Sequence, residues 1–336
     1  MKSKDKKNFM IALCVLVILL IVAGVGFYIA GNLKREEKSE TNLQPGETGD
    51  SQDIGDTIFY KGKEYRYNKD LNNILFMGVD KTDEVSIQQM VGKSGQADCI
   101  MIISINRADQ TARILQISRD AMTDIDLYDV SGNYFTSVKA QIATQYAYGN
   151  GAQSSCWATK KTVSELLYDL PIDGYLSMNL EGIQIMNDAV GGVTLTIPQD
   201  YTSVDPLFVQ GCTLTLTGEQ AERYVRYRDI EQTGSNMGRM ERQLQYIPAL
   251  LEAAKTRVGE AGDFYGTYSS LLDPYLVTDM SAKQINALAR CKLLTDETEM
   301  VPGEVVEGYE HDEFYVDDEK LYAVSYTHLT LPTIRL

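Results

Sequence analysis

Three short apolar runs constrain the fold more than anything else in this chain. They are Asn73–Val79 (NILFMGV), Cys99–Ile105 (CIMIISI) and Arg113–Ser118 (RILQIS). Continuous apolar runs of this length are the pattern of strands covered on both faces. The first ends at Asp80, the second opens just after Asp98, and the third ends at Arg119-Asp120. Charge at strand ends and not inside them is what a ligand site at the edge of a sheet needs. The turn signal Asn106–Gln110 makes the second and third runs a hairpin.

Helical signals alternate with further strands. Ser137–Tyr148 and Ala158–Tyr168 show helix-compatible apolar spacing, separated by a loop at Gly149–Gln153. Asp173–Met178 is read as a strand, and Leu180–Val190 as a helix stopped by Gly191-Gly192. Val193–Ile197 and Cys212–Leu216 are read as strands. Thr217, with Gln220 three residues on, has the capping-box pattern for a helix from Gly218 to about Arg228. A loop at Glu231–Asn236 precedes a long helix from about Met237 to Val258, and Ser281 caps another to about Leu293. Tyr60–Tyr67 is expected to form a short strand or hairpin at the domain entry. Alternation of this kind predicts one α/β domain on a mixed central sheet flanked by helices.

The chain carries a net charge of -16, yet five of its thirteen arginines fall between Glu219 and Gln245: Arg223, Arg226, Arg228, Arg239 and Arg242. Guanidinium forks bind phosphate bidentately, so a local patch suits a phosphorylated ligand. The overall acidity argues against a nucleic-acid partner, which needs a basic face. Arg239 and Gln243 are i,i+4 and share a helix face, with Arg242 adjacent. Arg226 and Arg228 are i,i+2, so both reach one ligand only if the backbone leaves helical geometry there. Arg223, with Glu219 one turn away, is read as a helix-face pair.

Histidine catalysis is poorly supplied. The only two histidines are His311 and His328, and His311 sits among acidic residues as a surface residue would. The five cysteines, Cys14, Cys99, Cys156, Cys212 and Cys291, include no CxxC pair, and mostly free thiols are expected. Chemistry here is expected to run on carboxylates, arginines and a hard metal ion.

The termini read differently from the domain. Residues 1–8 carry four lysines, and Phe9–Ala30 is 22 residues without a charge. At about 1.5 Å per residue that run spans a bilayer core of roughly 30 Å. It is longer than the apolar region of a cleaved signal peptide and lacks a clean cleavage site. The expectation is an uncleaved transmembrane signal anchor at 9–30, a cytoplasmic N-terminus at 1–8, a flexible stalk at 31–57 and an extracytoplasmic domain at 58–323. Val324–Thr333 (VSYTHLTLPT) reverse-translates to the string of a common transposase-based sequencing adapter. Residues 324–336 are therefore expected to be an adapter artefact, with the natural C-terminus elsewhere.

Seven segments taken in order carry a resemblance: NILFMGVD (73–80), ADCIMIISIN (97–106), QISRD (116–120), QYAYGNG (145–151), NDAVGGV (187–193), LTGEQAERYVRYRD (216–229) and GRMERQ (238–243). The chain resembles the LytR-CpsA-Psr family of cell-wall glycopolymer ligases from about Leu71 to about Leu321. The resemblance implies a membrane-anchored phosphotransferase. It would move an anionic glycopolymer from a polyprenyl-pyrophosphate carrier to peptidoglycan, with Mg²⁺ as cofactor. By motif position, Asp80 and Asp98 would be the metal-side carboxylates. Arg119, Arg226, Arg228, Arg239 and Gln243 would contact the pyrophosphate, with Arg119 and Asp98 acting in catalysis. Asn236, Arg242 and Gln96 are further candidates. The polyprenyl tail would need an apolar tunnel, for which 142–170 and 244–251 are the aliphatic stretches.

Two departures stand out. The family often has Arg-Ser-Asp where this chain has Gln96-Ala97-Asp98, and Asp where it has Asn236. They put the rate and the substrate in question, not the fold. Hydrolysis of the same pyrophosphate, and a non-catalytic wall-binding or transcription-attenuating role, remain as alternatives.

Overall fold

The structure, a computed structural model, describes residues 57–332 apart from 61–62, 68–69, 89–90, 130–131, 230–231, 260–261, 296–297, 310 and 323–329. The expected anchor at 9–30, the stalk before residue 57 and most of the expected adapter tail lie outside the described residues. Among the described residues, no helix is long and apolar enough to cross a membrane.

The described residues open with an antiparallel hairpin of β1 (Thr57–Tyr60) and β2 (Lys63–Tyr67). The three apolar runs then become β3 (Leu71–Val79), β4 (Ala97–Asn106) and β5 (Thr111–Ile117), an antiparallel meander. It is widened on one side by β8 (Gly174–Asn179), parallel to β3, and by β11 (Leu276–Thr278), antiparallel to β8. On the other side β12 (Lys292–Leu293) and β13 (Glu299–Met300) both run parallel to β5. The result is a mixed seven-stranded sheet.

Both faces of this sheet are covered, as continuous apolar strands require. Side chains alternate between faces along each strand. Leu75, Met77, Ile100, Ile102, Leu115 and Ile117 enter one core. They meet a 3-10 helix (Ile142–Tyr148) and α1 (Gln153–Leu166) through Ile142, Tyr146, Cys156 and Val163. Ile74, Met101, Ile103 and Ile114 enter the opposite core, where Ile285 and Leu288 of α6 (Ala282–Arg290) wait. Ser281 and Gln284 form the capping box that starts α6.

A third core joins α2 (Leu180–Ala189), the hairpin of β9 (Val193–Thr196) with β10 (Thr213–Leu216), α3 (Gly218–Arg226) and α4 (Ser235–Val258). The Thr217–Gln220 capping box is present at the start of α3. Gly191 and Gly192 have φ of 89° and 91°, the left-handed conformation that ends α2 in a turn.

The structure differs from the sequence reading in one segment. Ser137–Gln141 is not helical; it belongs to β7 (Tyr134–Gln141), which pairs with β6 (Met122–Tyr128). Tyr, Phe, Thr and Val in β7 favour a strand, and the helical spacing that begins at Ile142 hides that preference. Elements without any expectation include β6, β11, β13, α5 (Phe264–Leu272), and the hairpin of β14 (Gly303–Glu307) with β15 (Asp312–Val316). Last in the chain, β16 (Thr330–Pro332) lies antiparallel to β2.

Candidate functional site

The site begins where β3 ends and β4 begins. The loop between them closes as Asp80 N–H donates to Gln96 O (3.1 Å) and Gln96 N–H donates to Asp80 Oδ1 (2.6 Å). Gly95, at φ 87°, makes this possible: a Cβ there would lie 2.8 Å from Asp80 Oδ1. In the β3–β4 register Gly78 faces Cys99 and Val79 faces Ala97, so Asp98 is the extra residue of a β-bulge. Bulges re-aim a side chain out of the ladder. Here Asp98 is directed at two guanidinium groups: Oδ1 accepts from Arg119, and Oδ2 accepts from Arg239 Nη1 at 2.9 Å.

Arg119 follows β5 and is also held by Gln96 Oε1. Its Nε is buried without a hydrogen bond, 3.4 Å from Asp120 Oδ1. Asp120 is itself buried and accepts from Gln141 Nε2 (2.9 Å). Burial pushes the Asp120 carboxyl above its ordinary range, with Arg119, Arg228 and Arg239 pulling the other way.

The first turns of α4 supply the facing wall. Asn236, Arg239 and Gln243 are all buried on one helix face. Asn236 Oδ1 accepts from Arg239 Nε (3.1 Å) and Nη2 (2.8 Å), while its Nδ2 donates to Ser118 Oγ (3.1 Å). A neutral amide thus orients Arg239 from behind and ties it to the end of β5. Burial pulls the Arg239 pKa down and Asp98 pulls it back up. Gln243 Oε1 accepts from Gln116 Nε2 (2.8 Å), and Gln243 Nε2 donates to Val225 O (3.2 Å).

Between α3 and α4 the backbone leaves helical geometry at Tyr227, with φ -51° and ψ 133°. Such a break was expected if both arginines were to reach one ligand; here it separates them instead. Arg228 turns inward: its Nε donates to Ser235 Oγ (3.0 Å) and its Nη2 lies 3.3 Å from Asp312 Oδ2 on β15. Arg226 stays exposed and pairs with Glu222 (3.1 Å), outside the buried cluster. Arg223 pairs with Asp205 and Glu219 on the helix face. Arg242 faces away from the cluster. Its guanidinium donates to Tyr224 O (2.9 Å), Tyr227 O and Tyr201 Oη (3.2 Å), and stacks over the Tyr201 and Tyr227 rings. It is a clamp on the break after α3.

Two residues of the cluster had little sequence signal. Asp120 was visible only as a neighbour of Arg119. Asp312 lies more than eighty positions beyond Arg228 in sequence, on a hairpin with no strong pattern of its own. Asp312 also accepts from Gly234 N–H (2.9 Å), so β15 braces the loop ahead of α4. His311, beside it, is exposed. The four described cysteines are free.

Behind the polar cluster lies an apolar cavity of about 1250 Å³, counted out to open solvent. Its walls include Phe76, Leu176, Tyr246, Ile247, Leu250 and Leu288, with Gln243 and Val225 at the polar end. The stretch 244–251 lines it as the sequence reading expected. The stretch 142–170 does not, because those side chains are spent on the core across the sheet.

The chemistry of the donor set suits Mg²⁺. Asp80 and Asp98 stand on paired strand ends. A hard cation that keeps several waters needs only one or two carboxylates besides phosphate oxygens. Among the described residues no three His, Cys, Asp or Glu side chains form a cage. The charges also balance. Arg119, Arg228 and Arg239 are paired with Asp98, Asp120 and Asp312. Each guanidinium of the cluster thus has a carboxylate partner.

Comparison with known proteins shows what the chain is similar to. Over 335 residues the chain is 29% identical to the polyisoprenyl-teichoic acid–peptidoglycan teichoic acid transferase TagU of Oceanobacillus iheyensis, covering 96% of this chain and 94% of that protein. It is 27% identical over 264 residues to TagT of Bacillus subtilis, covering 76% and 73%. The fold matches the crystal structure of B. subtilis TagV with a TM-score of 0.59 at 22% identity, covering 78% and 96%. It matches a structure of TagT bound to LI-WTA with a TM-score of 0.54 at 22% identity, covering 83% and 98%. The sequence profile of the LytR_cpsA_psr family spans residues 25–330, the whole arginine–aspartate site included, and the chain belongs to that family.

Proposed function

We propose that this protein transfers an anionic glycopolymer from a polyprenyl-pyrophosphate carrier to peptidoglycan. One adjacency carries the reading: Gln243 is bonded into the arginine-bearing wall and also lines the apolar cavity. A pyrophosphate head on an aliphatic tail is the ligand class that fits both halves. The names of the relatives, transferases of teichoic acid from a polyisoprenyl carrier to peptidoglycan, support the same reading.

In the reaction an acceptor hydroxyl oxygen bonds to the phosphorus that carries the polymer. The P–O bond to the polyprenyl phosphate breaks, and that phosphate departs with the hydroxyl proton. The product is a phosphodiester. Such a transfer depends on positioning and on neutralising the equatorial and leaving oxygens. Arg119 and Arg239, held by Asp98 and Asn236, would contact the phosphates through their guanidinium groups. Arg228 adds charge from the loop, and Arg226 is the exposed arginine able to reach the polymer side. Mg²⁺, held by Asp80 and Asp98, would supply further neutralisation of the pyrophosphate. Asp98, which also accepts from Arg119 and Arg239, would be the carboxylate shared between the arginines and the cation.

We read Phe9–Ala30 as a signal anchor that places the catalytic domain outside the membrane, where carrier and peptidoglycan meet. Its uncharged length and the preceding lysines support this. The test uses the full-length protein in detergent with a short lipid-linked polymer and peptidoglycan, followed by product analysis. Mg²⁺-dependent release of polyprenyl phosphate together with polymer on peptidoglycan is expected. Release with water as the only acceptor, or no release at all, would refute transfer.

A further inference from the structure

Beside the β3–β4 loop a second pocket opens on the surface. It encloses about 640 Å³ counted out to open solvent, and Trp157, Tyr148, Tyr128, Asn150, Ser154 and Asp129 line it. Trp157 is the chain's only tryptophan. It is 57% exposed on α1, although Cys156 and Ala158 on either side are buried. Ser154, three residues earlier on the same helix, shares its face. A large aromatic left in water beside two tyrosines is a feature of recognition surfaces.

Polar groups complete the pocket. Asn150 Oδ1 is used by the loop itself, accepting from Ala152 N–H (2.9 Å) and Ser154 N–H (3.2 Å). Its Nδ2, the Tyr148 hydroxyl and the Trp157 indole N–H have no protein partner among the described residues. They are three donors around an aromatic surface. A pyranose ring presents the complementary pair, an apolar C–H face and an edge of hydroxyl or acetamido oxygens.

Charge decides which sugar. Among the described residues the pocket is lined by one carboxylate, Asp129, and by no lysine, arginine or histidine. An anionic polymer rich in phosphate would find no cation here and one like charge, whereas a neutral sugar is indifferent to both.

The place also suits an acceptor. Gln88 and Val91 of the pocket belong to the loop that carries Asp80 and Gln96 at its ends. The 3-10 helix that starts with Ala143 N–H bonded to Arg119 O (3.1 Å) ends at Tyr148. At about 2 Å per residue, Tyr148 stands roughly 10 Å along that helix from the Arg119 contact. A short stretch of glycan bridges such a distance.

We propose that this pocket is a glycan subsite that holds a neutral pyranose ring of the acceptor strand, with Trp157 as its stacking platform and Tyr148 and Asn150 as hydrogen-bonding groups. The proposal rests on the transferase reading and extends it to the acceptor side. Because Trp157 is the sole tryptophan, its fluorescence reports on the pocket directly. Full-length protein in detergent is titrated with neutral β-1,4-linked N-acetylglucosamine oligomers and, separately, with poly(glycerol phosphate). A saturable change with the neutral oligomers only, weakened about tenfold or more in Tyr148→Ala and Asn150→Ala, is expected. No saturable change, an equal response to the anionic polymer, or an unchanged response in both variants would overturn the proposal.

A second measurement separates this inference from the reading beneath it. In the transfer assay, Trp157→Ala is expected to raise the KM for the glycan acceptor by about tenfold while kcat moves less than about threefold. A wild-type protein that transfers, with Trp157→Ala keeping the wild-type acceptor KM, overturns the subsite alone. A wild-type protein that does not transfer overturns the function, and the fluorescence titration still decides the pocket.

Discussion

Asp98 Oδ2 lies 2.9 Å from Arg239 Nη1, across 141 positions of sequence. The contact joins the bulge of β4 to the second turn of α4, and the second oxygen of the same carboxylate faces Arg119. One acidic side chain therefore spaces the two best-buried arginines of the site. It keeps them apart and aimed before any phosphate arrives, which is the preorganisation that phosphoryl transfer rewards.

Asp98→Asn keeps the shape and removes the charge. Without divalent cation, inorganic pyrophosphate should bind the variant more tightly than the wild type, by about threefold to tenfold, because a competing anion is gone. The increase in affinity that Mg²⁺ gives the wild type should be lost in the variant. Calorimetry with and without Mg²⁺ checks both. An unchanged Mg²⁺ response would remove Asp98 from the metal side.

Arg242 makes a different prediction, because its contacts are all structural. Arg242→Gln removes hydrogen bonds to Tyr224 O and Tyr227 O and the stacking on two tyrosine rings. Loss of these buried, charge-assisted contacts should cost about 2 kcal/mol, or roughly 5 °C in Tm. Pyrophosphate affinity should fall only modestly, through a looser Arg226–Arg228 segment. Thermal unfolding and calorimetry on the same preparation separate the two effects. A large loss of affinity at unchanged Tm would make Arg242 a ligand contact.

Asp120 predicts a pH effect. Burial raises its pKa in the folded state despite three nearby arginines. The folded protein then binds more protons than the unfolded chain between the two pKa values, so this group's contribution to stability falls as pH rises through that window. Asp120→Asn removes the charge and retains an acceptor for Gln141. The variant should be more stable than the wild type at pH 7, and the difference should shrink as pH falls below the folded-state pKa. Denaturant unfolding across that range measures it. A variant less stable than the wild type at pH 7 would show that the pairing with Arg119 outweighs the burial.

The sheet and the helix-borne arginines were legible because both leave local signals. Three short, mainly apolar runs suit strands covered on both faces, and Thr217–Gln220 and Ser281–Gln284 mark helix starts by their own hydrogen bonds. What was not legible depended on pairing across the chain. The strand β7 has its partner in β6, whose alternating Asp residues hide it. Asp312 becomes part of the site only because β15 folds back against Ala121 and Arg228. The two departures from the family pattern acquire a physical meaning in the fold. Gln96 becomes an acceptor for Arg119, and Asn236 orients Arg239 without adding a buried negative charge.

On the reading proposed above, one ligand spans the arginine cluster and the apolar cavity, with Gln243 at the junction. Calorimetric Kd values for geranylgeranyl pyrophosphate and for inorganic pyrophosphate test it most directly, in wild type, Arg239→Gln and Leu250→Trp of verified Tm. Arg239→Gln should weaken both ligands by about tenfold or more, and Leu250→Trp should weaken only the prenylated one by a similar factor. If filling the cavity leaves geranylgeranyl pyrophosphate within about twofold of its wild-type Kd, the two halves do not form one site.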